Sequence, residues 1–221
     1  MPVAAVLVAA VACGEPPPNP LTLLAQARAA VDATPAAHFE LSSSNVSGAG
    51  PLITGGSGDA RRPDGFRGSL TVEVGGLALP ITVVSAGGSF YVKLPTDRGF
   101  TRTDPAEYGF GDPAQFLDPE RGLSSLLAKC SSVRLQADDR SQGELLHEVT
   151  CRLPGQDVAA LLTSADPGRP VEARFGIAAD SHQLRRVVLR GPFFSATTLS
   201  TFTAVLDRYG ENVTVTAPAA P

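Results

Sequence analysis

The 221-residue sequence predicts an α+β domain built on one large antiparallel sheet with a few short helices. Three observations carry this reading. Beyond His38, apolar residues alternate at a period of two through most of the chain. The pairs Gly75-Gly76 and Gly87-Gly88 stand between alternating runs, where two-residue hairpin turns belong. Helical spacing is confined to short stretches.

The elements follow in order. Leu21 to Val31 reads as a helix, because Leu24, Ala27 and Val31 recur at helical spacing and Asn19-Pro20 starts it. Phe39, Leu41 and Val46 fit a first strand. Gly48 to Gly58, rich in Gly and Ser, reads as a turn into a weak second strand ending near Arg62. The clearest strand follows, with Phe66, Gly68, Leu70, Val72 and Val74 alternating with Arg67, Ser69, Thr71 and Glu73. Leu77, Leu79, Ile81 and Val83 return on one face, and Phe90, Val92 and Leu94 follow the second glycine pair. These three strands form a meander with one apolar face. Asp104 to Pro119 holds three prolines around a helical turn at Pro113 to Leu117. Gly122 to Lys129 is a second short helix with Leu123, Leu126 and Leu127 on one side. Strands resume at Val133 to Ala137 and Leu145 to Leu153, and a helix follows at Asp157 to Leu162. Strands near Val171–Ala178, Leu184–Arg190, Thr198–Asp207 and Asn212–Val215 complete the sheet.

The N-terminus sets the compartment. Val3 to Ala12 is an apolar run, far short of the roughly 20 residues a bilayer crossing needs, and of the length of a signal-peptide core. It ends in Ala10-Val11-Ala12-Cys13-Gly14, a lipobox, where a diacylglycerol is added to the thiol and the chain is cut before Cys13. A basic segment ahead of the run is missing, so the reading expects a start codon upstream of Met1. Glu15-Pro16-Pro17-Pro18-Asn19-Pro20 cannot continue a helix and makes a stiff, solvated spacer. The organisation expected is a signal peptide over 1–12, a lipidated cysteine and tether over 13–20, and one domain over 21–217. This places the protein on the outer face of the cell membrane, held by Cys13. The alternative is a buried apolar helix with a free cysteine.

Two cysteines remain. Cys130 and Cys151 flank a hairpin whose turn lies near Ser141-Gln142-Gly143. Strand alternation sets Cys130 opposite Thr150 or Arg152, one residue off Cys151, so a bond needs slack at the strand start. Export favours the disulfide over two buried thiols.

Chemistry is sparse. A net charge of −4 gives no reason to expect a nucleic-acid partner. Gly55-Gly56-Ser57-Gly58 is followed by Asp59, so no nucleophile elbow forms. His38, His147 and His182 stand singly and read as structural, although His147 shares the apolar parity of its strand. No Cys or His cluster has metal-ligand spacing, and no phosphate cradle appears, so no metal, cofactor or enzymatic activity is expected. Arg61-Arg62 and Arg185-Arg186 read first as solvated basic spots and second as contacts for anionic headgroups. What remains is a long apolar sheet face with few, short helices to cover it. Such a face either packs as an ordinary core or leaves an apolar cavity.

The stretch Asp112-Pro113-Ala114-Gln115-Phe116-Leu117-Asp118-Pro119-Glu120-Arg121-Gly122-Leu123 resembles the P-x-x-[LF]-L-D-P-x-x-G-L signature of the LppX/LprAFG lipoprotein family. Leu135 to Gly143 is similar to a second family region, and Arg208-Tyr209-Gly210-Glu211-Asn212-Val213 to its closing element. The resemblance covers Leu21 to Val215. It implies a strongly curved half-barrel sheet similar to the LolA/LolB carriers, with short helices on the concave face enclosing an apolar cavity. It also implies an acylated glycolipid or phospholipid ligand moved across the envelope, with a membrane transporter as partner for some members. Cys130 and Cys151 depart from the family pattern. Sheet parity and this resemblance together assign the cavity wall to Leu70, Val72, Val74, Leu79, Ile81, Val83, Phe90 and Val92. The helices contribute Phe116, Leu117, Leu123, Leu126, Leu127, Val158, Leu161 and Leu162. A non-binding adaptor lipoprotein of the envelope is the rival reading.

Overall fold

The computed structural model describes residues 16–46, 48, 51–108 and 111–219. The segment expected as a signal peptide and the expected lipidation site Cys13 lie outside the described residues.

Helix α1 runs from Pro20 to Ala33. Asn19 caps it, its side-chain oxygen accepting from the amides of Leu21 and Thr22, and Pro20 sits where a missing amide costs nothing. Its buried face is Leu23, Leu24, Ala27 and Val31. Strands β1 (Ala36–Ser44), β2 (Leu52–Arg61), β3 (Gly65–Val74), β4 (Leu77–Ala86), β5 (Ser89–Lys93) and β6 (Thr101–Thr103) form a first meander. After helix α2 (Leu123–Ala128) come β7 (Ser131–Leu135), β8 (Asp139–Ser141) and β9 (Glu144–Leu153). Helix α3 (Gly155–Ala159) then leads to β10 (Val171–Ala178), β11 (Leu184–Gly191) and β12 (Ser200–Asp207).

All twelve strands among the described residues belong to one antiparallel sheet, ordered β6-β5-β4-β3-β2-β1-β12-β11-β10-β9-β7, with β8 paired to β9. The sheet is strongly curved and open, a half-barrel whose edges β6 and β7 do not meet. Its two meanders join along one seam, where β1 pairs with β12 and Phe39 lies opposite Leu206. This topology has a direct consequence. Because β6 is one edge and β7 lies at the other, residues 104–130 must travel across the sheet. That crossover carries 3₁₀ turns at Pro105–Tyr108 and Pro113–Leu117, and then α2. It packs with α1 on the apolar face and closes the core.

Several boundaries differ from expectation. The glycine-rich stretch expected as a turn is strand, because β2 runs through Gly55, Gly56 and Gly58. Gly58 lies opposite Gly68, and a methyl group on either would come within 2.7–2.8 Å of the Phe66 ring. The ring covers this glycine pair, so the glycines answer to close approach and not to a turn. Helix α3 begins two residues early, at Gly155. Residues Asn212–Val215 are irregular, and Val46 falls beyond β1. The Cys130–Cys151 disulfide forms, with Cα atoms 5.5 Å apart. The slack comes from a register shift between Ser131, opposite Arg152, and Arg134, opposite Thr150, with Ser132 at φ +54°.

Candidate functional site

An apolar cavity of about 130 Å³ lies between the middle of the sheet and the crossover. Its floor comes from Phe39 and Leu41 of β1, Ile53 of β2 and Leu70 of β3. Across the seam it takes in Val187 and Leu189 of β11 and Phe202 and Ala204 of β12. Its cover is Tyr108, Pro113, Phe116, Leu123, Leu161 and Leu162. The Phe39 ring stacks on Phe66 at 5.5 Å and on Phe116 at 4.8 Å, which ties floor to cover. An apolar cavity of this size can hold a small hydrocarbon; typical ligand pockets are larger, roughly 300–1,000 Å³.

The cover is built by the Leu-Asp-Pro stretch. Asp112 caps the 3₁₀ turn, its carboxylate accepting from the amide of Ala114. Leu117 is buried in the core. The Asp118 carboxylate accepts from the amides of Glu120 and Arg121, both at 2.9 Å. Burial opposes charge on Asp118, but these two amides outweigh it and hold the carboxyl below its ordinary value. A methyl group on Gly122 would stand 2.5 Å from the carbonyl oxygens of Asp118 and Gln115. Only glycine fits there, and Leu123 then turns back into the cavity.

Of the residues assigned from sequence, Leu70, Phe116, Leu123, Leu161 and Leu162 line the cavity. Val72, Ile81, Val83, Phe90, Val92, Leu117, Leu126, Leu127 and Val158 pack into the solid core beside it. Leu79 is half-buried, and Val74 sits exposed at a hairpin tip. Sequence reasoning missed the β1, β11 and β12 contributions. Parity identifies Phe39 and Leu41 as one face of a strand, but nothing local says that the first strand pairs with the last.

The polar residues are engaged elsewhere. His38 Nδ1 is 2.7 Å from Asp59, and His147 Nδ1 is 2.9 Å from Asp138. His182 occupies a turn at φ +56°. Arg62 donates to the carbonyls of Thr34 and Val31 and so closes the end of α1. The other arginine pair meets carboxylates: Arg185 binds Glu144, while Arg186 binds Asp139 at 2.6 Å and buried Glu148 at 2.7 Å. Among the described residues no cluster of His, Cys, Asp and Glu could hold a metal ion. No helix among them is long and apolar enough to cross a membrane.

Near the C-terminus the hydroxyl of partly buried Tyr209 donates to the Leu184 carbonyl, with the Arg185 guanidinium 5.6 Å over its ring. Burial pushes this phenol well above its ordinary value. The Gly210 amide donates to the Ala36 carbonyl at 2.8 Å. The closing motif thus ties β11 and β1 together across the seam.

The comparisons agree with this architecture. The lipoarabinomannan carrier protein LprG of Mycobacterium tuberculosis (strain H37Rv) is 28% identical over 210 residues, covering 93% of this chain and 84% of the relative. The same protein from Mycobacterium bovis (strain BCG Pasteur) matches equally. The crystal structure of LprF from M. bovis superposes with a TM-score of 0.74 at 18% identity, over 94% of this chain and all of that one. The crystal structure of the M. tuberculosis lipoprotein LppX gives a TM-score of 0.65 at 18% identity, over 89% and 97%. The LppX_LprAFG lipoprotein model matches residues 19–215, and the chain belongs to that family.

Proposed function

We propose that the protein is a lipid carrier of the cell envelope. It takes the acyl chains of a glycolipid or phospholipid into the cavity under its sheet and is anchored to the outer face of the membrane through Cys13. It carries out no reaction; its work is to keep hydrocarbon from water during transfer. The observation that carries the reading is the apolar cavity between seam and crossover, in a family whose LprG members are named as lipoarabinomannan carriers. At about 130 Å³ the void accepts only part of an acyl chain. Loading therefore displaces the cover. The crossover suits this, since its helical pieces are one or two turns long and its backbone holds together through a few caps. Each buried methylene contributes about 0.8 kcal/mol, so a whole chain outweighs the loss of a few cover contacts.

Native mass spectrometry of gently purified protein tests the proposal. A co-purifying or exchangeable acylated lipid is expected, and its absence under loading with diacyl and triacyl glycolipids overturns it. The extent of solid packing beneath β3 to β5 favours a second reading, a non-binding adaptor that docks to a transporter. It predicts the same fold with no lipid mass.

A further inference from the structure

We infer that the β3–β4 hairpin tip is the element that enters the bilayer when the carrier loads or unloads. The inner-face residues of this hairpin form a ladder of facing pairs: Leu70 with Ile81, Val72 with Leu79, and Val74 with Leu77. Leu70 lines the cavity, and Ile53 beside Val72 does too. Exposure rises along the ladder. Leu70 is 4% exposed and Val72 3%, Leu79 is half-buried, and Val74 and Leu77 reach 47% and 62%. The apolar face of the hairpin thus runs from the cavity at Leu70, through the packed pairs beside it, to a greasy point outside the protein.

The composition of the tip matches hydrocarbon. From Val74 to Val92 the chain has no Asp, Glu, Lys or Arg, so no charge need be stripped of water on entry. Glu73 alternates to the other face of the strand. The turn is Gly75-Gly76, at φ +59° and +83°, and nothing approaches within 4 Å of where their side chains would start. The point stands clear of the rest of the molecule. Four residues are far too few for a stable protein interface, which buries about 1,000 Å² or more. A shallow dip at the boundary between headgroups and acyl chains needs no more than two aliphatic side chains and a bare turn. An acyl chain that follows the ladder from there parts the packed pairs Val72–Leu79 and Leu70–Ile81 and meets only apolar side chains on its way to the cavity.

This inference rests on the carrier reading, and one experiment separates the two. The protein contains no Trp, so Leu77→Trp in the full chain gives a single reporter. Its emission should shift to the blue on addition of phosphatidylglycerol–phosphatidylcholine vesicles. Lipids brominated in the upper acyl chain should quench it. Unshifted, unquenched emission overturns the inference, even if lipid co-purifies with the protein and the carrier reading stands. Quenching in a protein that never holds lipid supports the docking tip and removes the carrier. A second variant, Val74→Asp with Leu77→Asp, should slow vesicle-to-vesicle transfer of a fluorescent diacyl lipid by about tenfold or more, with bound lipid per protein unchanged. Unaltered transfer by this variant overturns the inference.

Discussion

At the scale of single residues, two positions show how the cover and the fold are set. Gly122 faces three carbonyl oxygens, the third being that of Phe116, 2.6 Å from where a methyl group would stand. Gly122→Ala must push the turn outward, and its expected cost is about 2 kcal/mol, read from urea unfolding. Faster lipid uptake should accompany the loss, because the displaced turn carries Phe116 and Leu123 off the cavity. Asp59 supplies a pH signature. Burial opposes its charge, but hydrogen bonds from His38 and Arg67 outweigh burial, so its carboxyl lies below the ordinary value near 3.8. A carboxyl depressed in the folded state stabilises the fold above its unfolded value, and this stability is lost as pH falls through the folded value. Wild type should therefore melt above Asp59→Asn at about pH 6, and the gap should narrow progressively once the pH falls below the ordinary carboxyl value near 3.8. A gap that stays constant over that range contradicts the assignment.

At the scale of elements, what is legible in the sequence is what depends on near neighbours. Alternation in β3, the two Gly-Gly turns and the Asn19-Pro20 start each depend on residues within one or two turns of chain. The failures have one cause, dependence on residues distant in sequence. Gly58 reads as turn chemistry because its reason for being glycine, the Phe66 ring across β3, is not local. Sequence alone puts the cavity wall on β3 to β5 because the β1–β12 pairing leaves no local mark. Alternation predicts that the Cys130–Cys151 bond needs slack at the strand start, and it forms with that slack supplied by the register shift between Ser131 and Arg134. That disulfide also gives the element-scale prediction. It joins the residue just after the α2 C-cap to β9, across a sequence separation of 21 residues. Its loss through Cys130→Ser with Cys151→Ser should cost about 3 kcal/mol. Hydrogen exchange should rise most in Leu123–Ala128, the helix it tethers, and least in β3 and β4.

At the scale of the whole molecule, the cavity lies on the seam between two meanders, and under the proposed carrier function that position would make ligand and fold interdependent. Phe39, Leu41, Phe202 and Ala204 come from the strands that hold the halves together, and they are also the cavity floor. An acyl chain laid over them, as proposed, would add apolar contacts to both halves at once, so it would bind the assembled sheet and have no comparable site on the unfolded chain. Linkage then fixes the size of the effect. Free lipid at about 100 times its dissociation constant contributes about 2.7 kcal/mol. For a domain of this length that is a rise in melting temperature on the order of 5–10 °C. The distribution of the effect is more telling than its size. Protection from hydrogen exchange on lipid loading should concentrate in β1, β12 and the cover turn at Pro113–Leu117, and should leave β4 and β5 nearly unchanged. If protection instead appears under β4 and β5, the acyl chain occupies a different part of the sheet, and the seam is a structural joint without a role in binding.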